Sequence, residues 1–308
     1  MIVLSSPEEA IGRFSHPVVA VGNFDGVHRG HQAIIEKAVD IAEDCDSSCI
    51  AVTFDPHPQL VLGSKRDRFL LCPLDEKLRL FSELSLDGVV VLPFDRKFAA
   101  TEPEDYIKTV YVDGFQVREI VVGFSHAFGR HGYGDTTFLR ASGLKHGFGV
   151  TVVPPFQIGE HVVGSSLIRD QISSGRIALA TNLLGHPFRI SGTVVRGEGR
   201  GRTLDYPTAN IGHLDEWQML PGHGVYAVRV SIEGNDYEGV MNVGVRPTFG
   251  SDKELCEIHI LDFGEDIYDS PITFAVEQRI REERKFDGIE SLRQQIAKDV
   301  ETAKSILS

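Results

Sequence analysis

A strand, a glycine turn and a helix follow one another near the N-terminus, and they constrain the fold more than any other feature. The uninterrupted apolar run Val18–Val21 is typical of a buried strand. Gly22 and Gly26 bracket the turn, where the missing Cβ lets backbone approach a ligand closely. The helix that follows carries His28 and His31 in its first turn, three residues apart and therefore on one face. This arrangement directs backbone N–H groups and the positive end of a helix dipole at a phosphate.

Two interpretations of the histidine pair are open from the residues alone. One is a polar helix start or part of a metal site, but two histidines are a poor zinc ligand set, and no HExxH or CxxC motif accompanies them. The other is a triphosphate site, in which two imidazoles stabilise the charge that grows on a leaving pyrophosphate. The agreement of strand, turn and histidines favours the triphosphate site.

Strand-like and helix-like segments alternate through the N-terminal half. The predicted strands are 18–21, 48–54, 89–92, 119–123 and 150–153. Further helices are predicted to begin near Asp75, Thr101 and Asp135. This alternation predicts an α/β domain over residues 1–184, with a Rossmann-like, doubly wound parallel sheet that binds ligands beyond the carboxyl ends of its strands.

The pattern changes near residue 183. Short alternating runs separated by glycine- and proline-rich turns predict an antiparallel sheet or small barrel. The runs are 188–196, 224–232, 237–245, 255–263 and 272–282. Apolar residues at helical spacing from Ile289 to Val300 predict an amphipathic terminal helix. We therefore expect a second, all-β domain over residues 185–308.

Composition excludes several classes of protein. The net charge of −13 argues against binding to a nucleic-acid backbone, which requires a basic face. No apolar run reaches the length of a membrane span, and the N-terminus lacks the features of a signal peptide, so we expect a cytoplasmic protein without a membrane partner. The four cysteines have no metal-site or disulfide-framework spacing, and we expect free thiols. The sequence does not fix the oligomeric state; a monomer is compatible with it.

A second group of polar residues lies in the C-terminal half. A loop with alternating glycine and arginine, Gly197–Arg202, can fold over a polyphosphate, although a solvated hairpin is the alternative. Thr208 and Asn210 place a hydroxyl and a carboxamide on one face of an extended segment, and such hard oxygen ligands suit Mg²⁺. Glu257 lies within an apolar strand, either as an outward-facing charge or as a general base.

The motifs taken together resemble one family across the whole chain. GNFDGVHRGH at residues 22–31 resembles the adenylyltransferase half of the bacterial bifunctional riboflavin kinase/FAD synthetases. PTAN, PGHGVYAV, NVGVRPTF, the glutamate strand and RIREERKF follow the glycine–arginine loop in an order that resembles the riboflavin kinase half. The resemblance implies a nucleotidyltransferase-like domain followed by a six-stranded β-barrel with a terminal helix.

The resemblance also implies two reactions that share ATP and Mg²⁺. Riboflavin is phosphorylated to FMN in the C-terminal domain, and FMN is adenylated to FAD with release of pyrophosphate in the N-terminal domain. In the kinase half, it implies Mg²⁺ and nucleotide contacts for Thr208 and Asn210, the base role for Glu257, and closure over the flavin for Arg281 and Phe286. The residues implied to cover the phosphates are Gly197, Gly199, Gly201 and Arg202.

For the N-terminal half, the resemblance implies that His28 and His31 stabilise the ATP phosphates. The residues implied to hold the nucleotide are Gly22, Phe24, Asp25 and Gly26. Those implied on the flavin side are Phe54, Asp55 and His57. A later phosphate motif is matched by Ser165, Ser166 and Arg169.

Departures from the family pattern leave two alternatives open. In the loop after the fourth predicted strand, Ser125 replaces a carboxamide or carboxylate and His126 replaces an aromatic residue. Asp205 replaces a glycine beside the phosphate loop. One alternative is a riboflavin kinase with a weak or altered adenylyltransferase domain. The other is a non-catalytic protein that responds to flavin or nucleotide.

Overall fold

The structure, a computed structural model, describes residues 1–63, 67–197, 206–248 and 251–308. The chain folds as two compact units. The first comprises Met1–Asp67 and Leu74–Gly164, and the second comprises Arg68–Pro73 and Ser165–Ser308. Each unit is described by itself below.

A parallel sheet forms the centre of the first unit. Its strands are β1 (Ile2–Leu4), β2 (Val18–Val21), β3 (Cys49–Asp55), β4 (Gly88–Pro93), β5 (Glu119–Gly123) and β6 (Gly149–Val153). They are ordered β1-β4-β3-β2-β5-β6, and every neighbouring pair is parallel. The predicted α/β class is confirmed. The edge strand β1 and the small hairpin β7–β8 (Gln157–Ile158 and His161–Val162) were not predicted, because such short segments carry no periodicity.

Helices cover both faces of this sheet. They are α1 (Pro7–Ala10), α2 (Arg29–Asp44), α3 (Pro58–Leu62), α4 (Leu74–Ser82), α5 (Arg96–Ala99), α6 (Pro103–Tyr106), a π-helical segment (Ile107–Phe115) and α7 (Thr136–His146). Alternate residues of β2 belong to two different cores: Val18 and Ala20 pack with Phe81, whereas Val19 and Val21 pack with Tyr111. Burial on both faces explains why β2 is an uninterrupted apolar run.

The strand order fixes where this unit can bind a ligand. From β2 the chain builds outward through β3 and β4 on one side, and then crosses to β5 on the other side. The carboxyl ends of β2 and β5 therefore lie at the topological switch point, where open α/β sheets bind ligands.

The second unit is built on a closed barrel. Its strands are β9 (Phe188–Val195), β10 (Ala209–Gly212), β11 (Gly224–Ile232), β12 (Asn235–Thr248), β13 (Ser251–Ile260) and β14 (Pro271–Arg281), in the order β10-β13-β12-β11-β14-β9. Its helices are α8 (Ser165–Ser173), α9 (Ile177–Leu184) and α10 (Ile289–Leu307). The predicted six-stranded barrel with a terminal helix is confirmed. No helix in the described part of the chain is both long and apolar enough to cross a membrane.

Helix α10 is anchored to the barrel by apolar packing and by one ion pair. Its residues Ala303 and Leu307 pack on Val225. The Arg281 guanidinium at the end of β14 forms a bidentate pair with the Asp299 carboxylate, at 3.0 Å from Nε and 2.9 Å from Nη2. Asp299 is only 2% exposed, so this charge pair is largely shielded from water and holds the helix in one register.

The short segment Arg68–Pro73 belongs to the second unit although it interrupts the first in sequence. The backbone N–H groups of Phe69 and Leu70 both donate to the Trp217 carbonyl at 2.8 Å, and Arg169 Nε donates to the Phe69 carbonyl at 2.7 Å. These contacts tie the segment to the barrel and to α8. The predicted domain division at residues 184 and 185 stays a prediction.

We expect Phe81→Ala to destabilise the first unit by about 3–5 kcal/mol, because it opens a cavity where a fully buried ring contacts Phe24. Leu144→Ala is the matched control, since Leu144 is 91% exposed on α7, and its change should stay within about 0.5 kcal/mol. Urea unfolding followed by circular dichroism measures both. Equal stability of the two variants would contradict the proposed core.

Candidate functional site

The turn after β2 is held in left-handed backbone conformations. Phe24 has a φ of 49°, Gly26 a φ of 78° and Val27 a φ of 38°. The Phe24 ring is fully buried and meets the His31 ring edge-on at 5.3 Å. A Cβ on Gly22 would lie 3.2 Å from the Phe24 ring, which accounts for glycine at position 22. The Phe24 ring supports His31 from the core, and the implied contact of residue 24 with the nucleotide stays a prediction.

His28 and His31 are brought together as a stacked pair. Their ring centroids are 3.6 Å apart and the rings are inclined by 15°. His28 caps helix α2, and its Nδ1 accepts a hydrogen bond from the His31 backbone N–H at 3.3 Å. Because Nδ1 is the acceptor, the proton of neutral His28 resides on Nε2. The cap thus fixes the tautomer in which Nε2 is a hydrogen-bond donor.

His31 is held in its neutral form. Burial lowers its pKa well below the ordinary value, and the nearby His28 and Lys77 lower it further. Its buried Nδ1 atom has no hydrogen-bond partner among the described residues. A neutral imidazole can stabilise developing phosphate charge through N–H donation without first binding a proton.

An aromatic cluster stands at the ends of β3 and β4. It consists of Phe54, Phe94, Phe98, Tyr106 and Phe128, with neighbouring ring centroids 5.5–6.1 Å apart. Phe54 is partly exposed, so the cluster can offer a flat apolar surface to a ring-shaped ligand.

The other residues implied on the flavin side differ in their surroundings. Asp55 is exposed at the end of β3. His57 is buried and caps α3, because its Nδ1 accepts from the Gln59 backbone N–H at 3.1 Å. Asp25, implied at the nucleotide, is 2% exposed.

The loop after β5 places His126 against the aromatic cluster. The His126 ring stacks on Phe128 with centroids 5.6 Å apart, and its buried Nε2 has no hydrogen-bond partner among the described residues. Burial lowers the pKa of His126 to about 4. A neutral, stacked imidazole therefore takes the place of the aromatic residue expected there. Ser125, in contrast, is exposed.

In the barrel, strand register aligns polar residues from different strands. Glu257 of β13 stands directly opposite Asn210 of β10 on one side and Asn242 of β12 on the other. Asn242 in turn faces Val225 of β11, which faces Arg281 of β14. Directly opposite residues project from the same face, with Cβ atoms about 4.5–5.5 Å apart. We call these five residues the cross-strand row.

Sequence reasoning missed Asn242. Its position in NVGVRPTF, a polar residue between apolar neighbours, permitted an outward-facing side chain and nothing more. Only the pairing of β12 with β13 shows that Asn242 and Asn210 flank the Glu257 carboxylate from either side.

Gly197 is fitted closely against Asn210. A Cβ at position 197 would lie 2.1 Å from the Asn210 Nδ2 atom, closer than atoms can approach. A side chain at position 197 would therefore displace the Asn210 carboxamide from this position at the entrance to the predicted phosphate loop. The remaining loop residues Gly199, Gly201 and Arg202, like Asp205, lie outside the described residues.

A cavity of about 360 Å³ opens beside Thr208. Its lining combines apolar side chains of the barrel with the turn after β13. The lining includes Val194, Ile258, Ile260, Phe263, Asp266 and Tyr268. The Arg196 guanidinium lies 4.8 Å from the centroid of the Tyr268 ring, which places a cation at this site.

The other residues predicted in the second unit have structural partners. Arg281 lies 5.5 Å from the Phe286 ring centroid, as expected for neighbours, but its charge is paired with Asp299. This pair anchors α10, and closure of Arg281 and Phe286 over the flavin stays a prediction. Ser165 and Ser166 form the first turn of α8, where helix N–H groups lack intrahelical partners. Arg169 bonds to the Phe69 carbonyl and stacks over the Phe69 ring at 5.5 Å.

The described residues contain no cluster of three or more histidine, cysteine or acidic side chains arranged to hold a metal ion. All four cysteines are free thiols, as predicted. Mg²⁺ needs no such cluster, because it commonly binds through few protein oxygens together with phosphate oxygens and water.

Family models and curated relatives agree on one family, whereas one solved structure of similar fold carries a different description. A family model described as FAD synthetase matches residues 12–167, and one described as riboflavin kinase matches residues 184–307. Relatives named bifunctional riboflavin kinase/FMN adenylyltransferase include one from Bacillus subtilis (strain 168), 38% identical, and one from Escherichia coli (strain K12), 36% identical. Each alignment covers 93% of this chain and 91% of the relative. A crystal structure described as a macrolide-efflux protein from Streptococcus pneumoniae matches 99% of both chains, with a TM-score of 0.90 and 30% identity.

The buried His126 predicts a pH-dependent loss of stability. Its pKa is about 4 in the folded protein and about 6.5 when unfolded, so the unfolded state binds more protons between these values and stability falls as pH drops through this window. We expect His126→Phe to remove a penalty of about 2 kcal/mol at pH 5 that is absent at pH 7.5. Urea unfolding at both pH values measures the difference. His161→Phe, at an exposed position, should leave the wild-type pH dependence in place.

Proposed function

Because the chain belongs to the bifunctional riboflavin kinase/FMN adenylyltransferase family, we propose that it makes FAD from riboflavin in two ATP-dependent steps. The second unit phosphorylates riboflavin to FMN, and the first unit transfers AMP from ATP to FMN. The observation that carries the proposal is the presence of both arrangements in one chain: the stacked histidine pair at the switch point of the sheet, and the cross-strand row on the barrel.

In the kinase step, Glu257 is proposed as the general base. The 5′-hydroxyl of riboflavin gives its proton to the Glu257 carboxylate while its oxygen attacks the γ-phosphorus of ATP. The bond from that phosphorus to the β–γ bridging oxygen breaks, and ADP leaves. Asn210 and Asn242 flank the carboxylate and can orient it by hydrogen bonding.

The nucleotide of the kinase step is proposed to lie beside Thr208. The adjacent cavity has an apolar lining suited to a base. The Thr208 hydroxyl and the Asn210 carboxamide are hard oxygen donors, and they fit Mg²⁺ carried by ATP. When bound, this ion neutralises phosphate charge. The tight fit of Gly197 against Asn210 supports the loop passing over the same phosphates.

In the adenylyl-transfer step, a phosphate oxygen of FMN attacks the α-phosphorus of ATP and pyrophosphate leaves. His28 is proposed to donate from Nε2 to a departing phosphate oxygen, because its Nδ1 already accepts the cap hydrogen bond. The aromatic cluster with its partly exposed Phe54 is proposed to receive the isoalloxazine ring. Ser165, Ser166 and Arg169 remain proposed phosphate contacts at the start of α8.

The remaining proposals follow from sequence. We propose that the protein acts in the cytoplasm on small molecules and binds no nucleic acid, since its net charge is −13.

Reciprocal variants test the two-site proposal. We expect Glu257→Gln to lower FMN formation from riboflavin by roughly 10²–10⁴-fold, since the amide cannot accept the hydroxyl proton, while FMN adenylation is retained. His28→Ala should have the opposite pattern. Chromatography of flavins, with pyrophosphate release measured in parallel, distinguishes the reactions. Loss of both activities in folded Glu257→Gln would refute independent sites, and absence of FAD from wild-type protein would leave only a kinase.

Gly197→Ala tests the loop contact. The added Cβ must displace the Asn210 carboxamide, so we expect riboflavin phosphorylation to fall at least tenfold while FMN adenylation is unchanged. Gly288→Ala is the matched control, because a Cβ at position 288 meets no atom within 4 Å. Wild-type kinase rates in Gly197→Ala would show that the position of Asn210 is unimportant.

A further inference from the structure

A buried lysine lies beneath the turn that carries the histidine pair. Lys77 projects from α4 and is only 5% exposed. A buried ammonium group is costly unless it is paired, and the usual partner is a carboxylate. Lys77 forms no ion pair with any carboxylate among the described residues. Its Nζ donates instead to two neutral acceptors, the Asn23 carbonyl oxygen at 2.9 Å and the Thr53 hydroxyl at 3.4 Å.

The Asn23 carbonyl lies between Gly22 and Phe24, in the turn after β2. We call this turn, which is proposed to hold ATP, the nucleotide turn. It also accepts a hydrogen bond from the Thr53 hydroxyl at 3.0 Å. Two donors, one from α4 and one from β3, thus fix the orientation of this peptide group. Since the peptide is planar and trans, the Phe24 N–H is held pointing away from Lys77.

Lys77 also acts on the histidine pair through its charge. The titratable or charged groups that act on His31 are His28, from the start of its own helix, and Lys77, which reaches it from α4. A neighbouring positive charge disfavours a second one, so Lys77 opposes protonation of the imidazole. The charge of Lys77, which has no carboxylate partner in the described part of the chain, therefore favours the neutral form of His31.

We propose that Lys77 is a positioning residue for adenylyl transfer, which holds the nucleotide turn through the Asn23 carbonyl and supplies a positive charge that the phosphates of bound ATP balance. The proposal rests on the proposed FMN adenylation. It assigns to Lys77 the counter-charge that a neutral His31 does not provide. It also explains why a lysine is buried without a carboxylate: its anionic partner is the polyanionic substrate.

Two variants separate charge from hydrogen bonding. Lys77→Met removes both, whereas Thr53→Val removes the other hydrogen bond to the same carbonyl and keeps the charge. We expect Lys77→Met to lower kcat/KM for ATP in FMN adenylation by about 10–100-fold, mainly through KM. Thr53→Val should lower it no more than about threefold. Riboflavin phosphorylation serves as an internal control in both proteins, and Lys37→Met, at an exposed position of α2, should behave as wild type.

The pH profile adds a readout that a purely structural role would not move. Removing the charge raises the pKa of His31, so the acidic limb of the adenylation profile should move to higher pH in Lys77→Met. It should stay in place in Thr53→Val and in the charge-retaining Lys77→Arg. Equal losses in Lys77→Met and Thr53→Val, or an unmoved acidic limb in Lys77→Met, would overturn the proposal.

Nuclear magnetic resonance of the His31 ring makes the test independent of turnover. The His31 pKa should rise in Lys77→Met and not in Thr53→Val; an unchanged value in Lys77→Met would overturn the proposal. If Lys77→Met does not fold, Lys77→Arg is used instead. This variant keeps the positive charge, so an acidic limb or a His31 pKa that moves to higher pH in folded Lys77→Arg would overturn the proposal. FAD formation by wild-type protein, measured in parallel, shows separately whether the proposed adenylation holds.

Discussion

Burial of β2 on both faces is the constraint on which the first unit depends. Its four residues are at most 1% exposed, because β3 and β5 pair with it on either side and helices cover both faces of the sheet. At the carboxyl end of β2, after Val21, the chain leaves the sheet through a turn. The turn that leaves it carries the left-handed residues and the histidine cap, so the rigid strand determines where the imidazoles stand. Rigid elements hold reactive groups more accurately than loops do.

In the barrel, strand register rather than a turn determines where the polar side chains lie. Asn210, Glu257 and Asn242 are separated along the chain by whole strands and turns, and hydrogen-bonded register alone aligns them. A slip of one residue in β13 would turn Glu257 to the opposite face, where Ile258 is now fully buried. The apolar residues on that inner face therefore protect the register, and with it the position of the carboxylate. Packing of the barrel core therefore also fixes the geometry of the site.

The contrast between local and non-local determinants explains what the sequence could predict. Apolar periodicity and glycine turns are local, so the strands from β2 to β6 and the barrel class were predicted correctly, while the phosphate role of the histidine pair stays a prediction. Burial is not local: Phe24 packs beneath His31 and Arg281 pairs with Asp299, and motif position could predict neither contact. Asn242 was missed because only the pairing of β12 with β13 brings it next to Glu257. Lys77 lies among charged residues in DEKLRLF, where a helical pattern favours a solvent-facing side chain, and only tertiary packing buries it.

The electrostatics of the first unit follow from the same packing. A protein with a net charge of −13 must attract a polyanion by local rather than global charge. An exposed arginine could supply it, but solvent would screen its field. A lysine buried beneath the turn acts through a medium of lower dielectric constant, so its effect on nearby groups is stronger. Burial keeps His31 neutral, because its protonated imidazole would meet both desolvation and the Lys77 charge. In the proposed adenylyl transfer, Lys77 therefore provides positive charge, and the imidazoles of His28 and His31 provide directed hydrogen bonds to the phosphates.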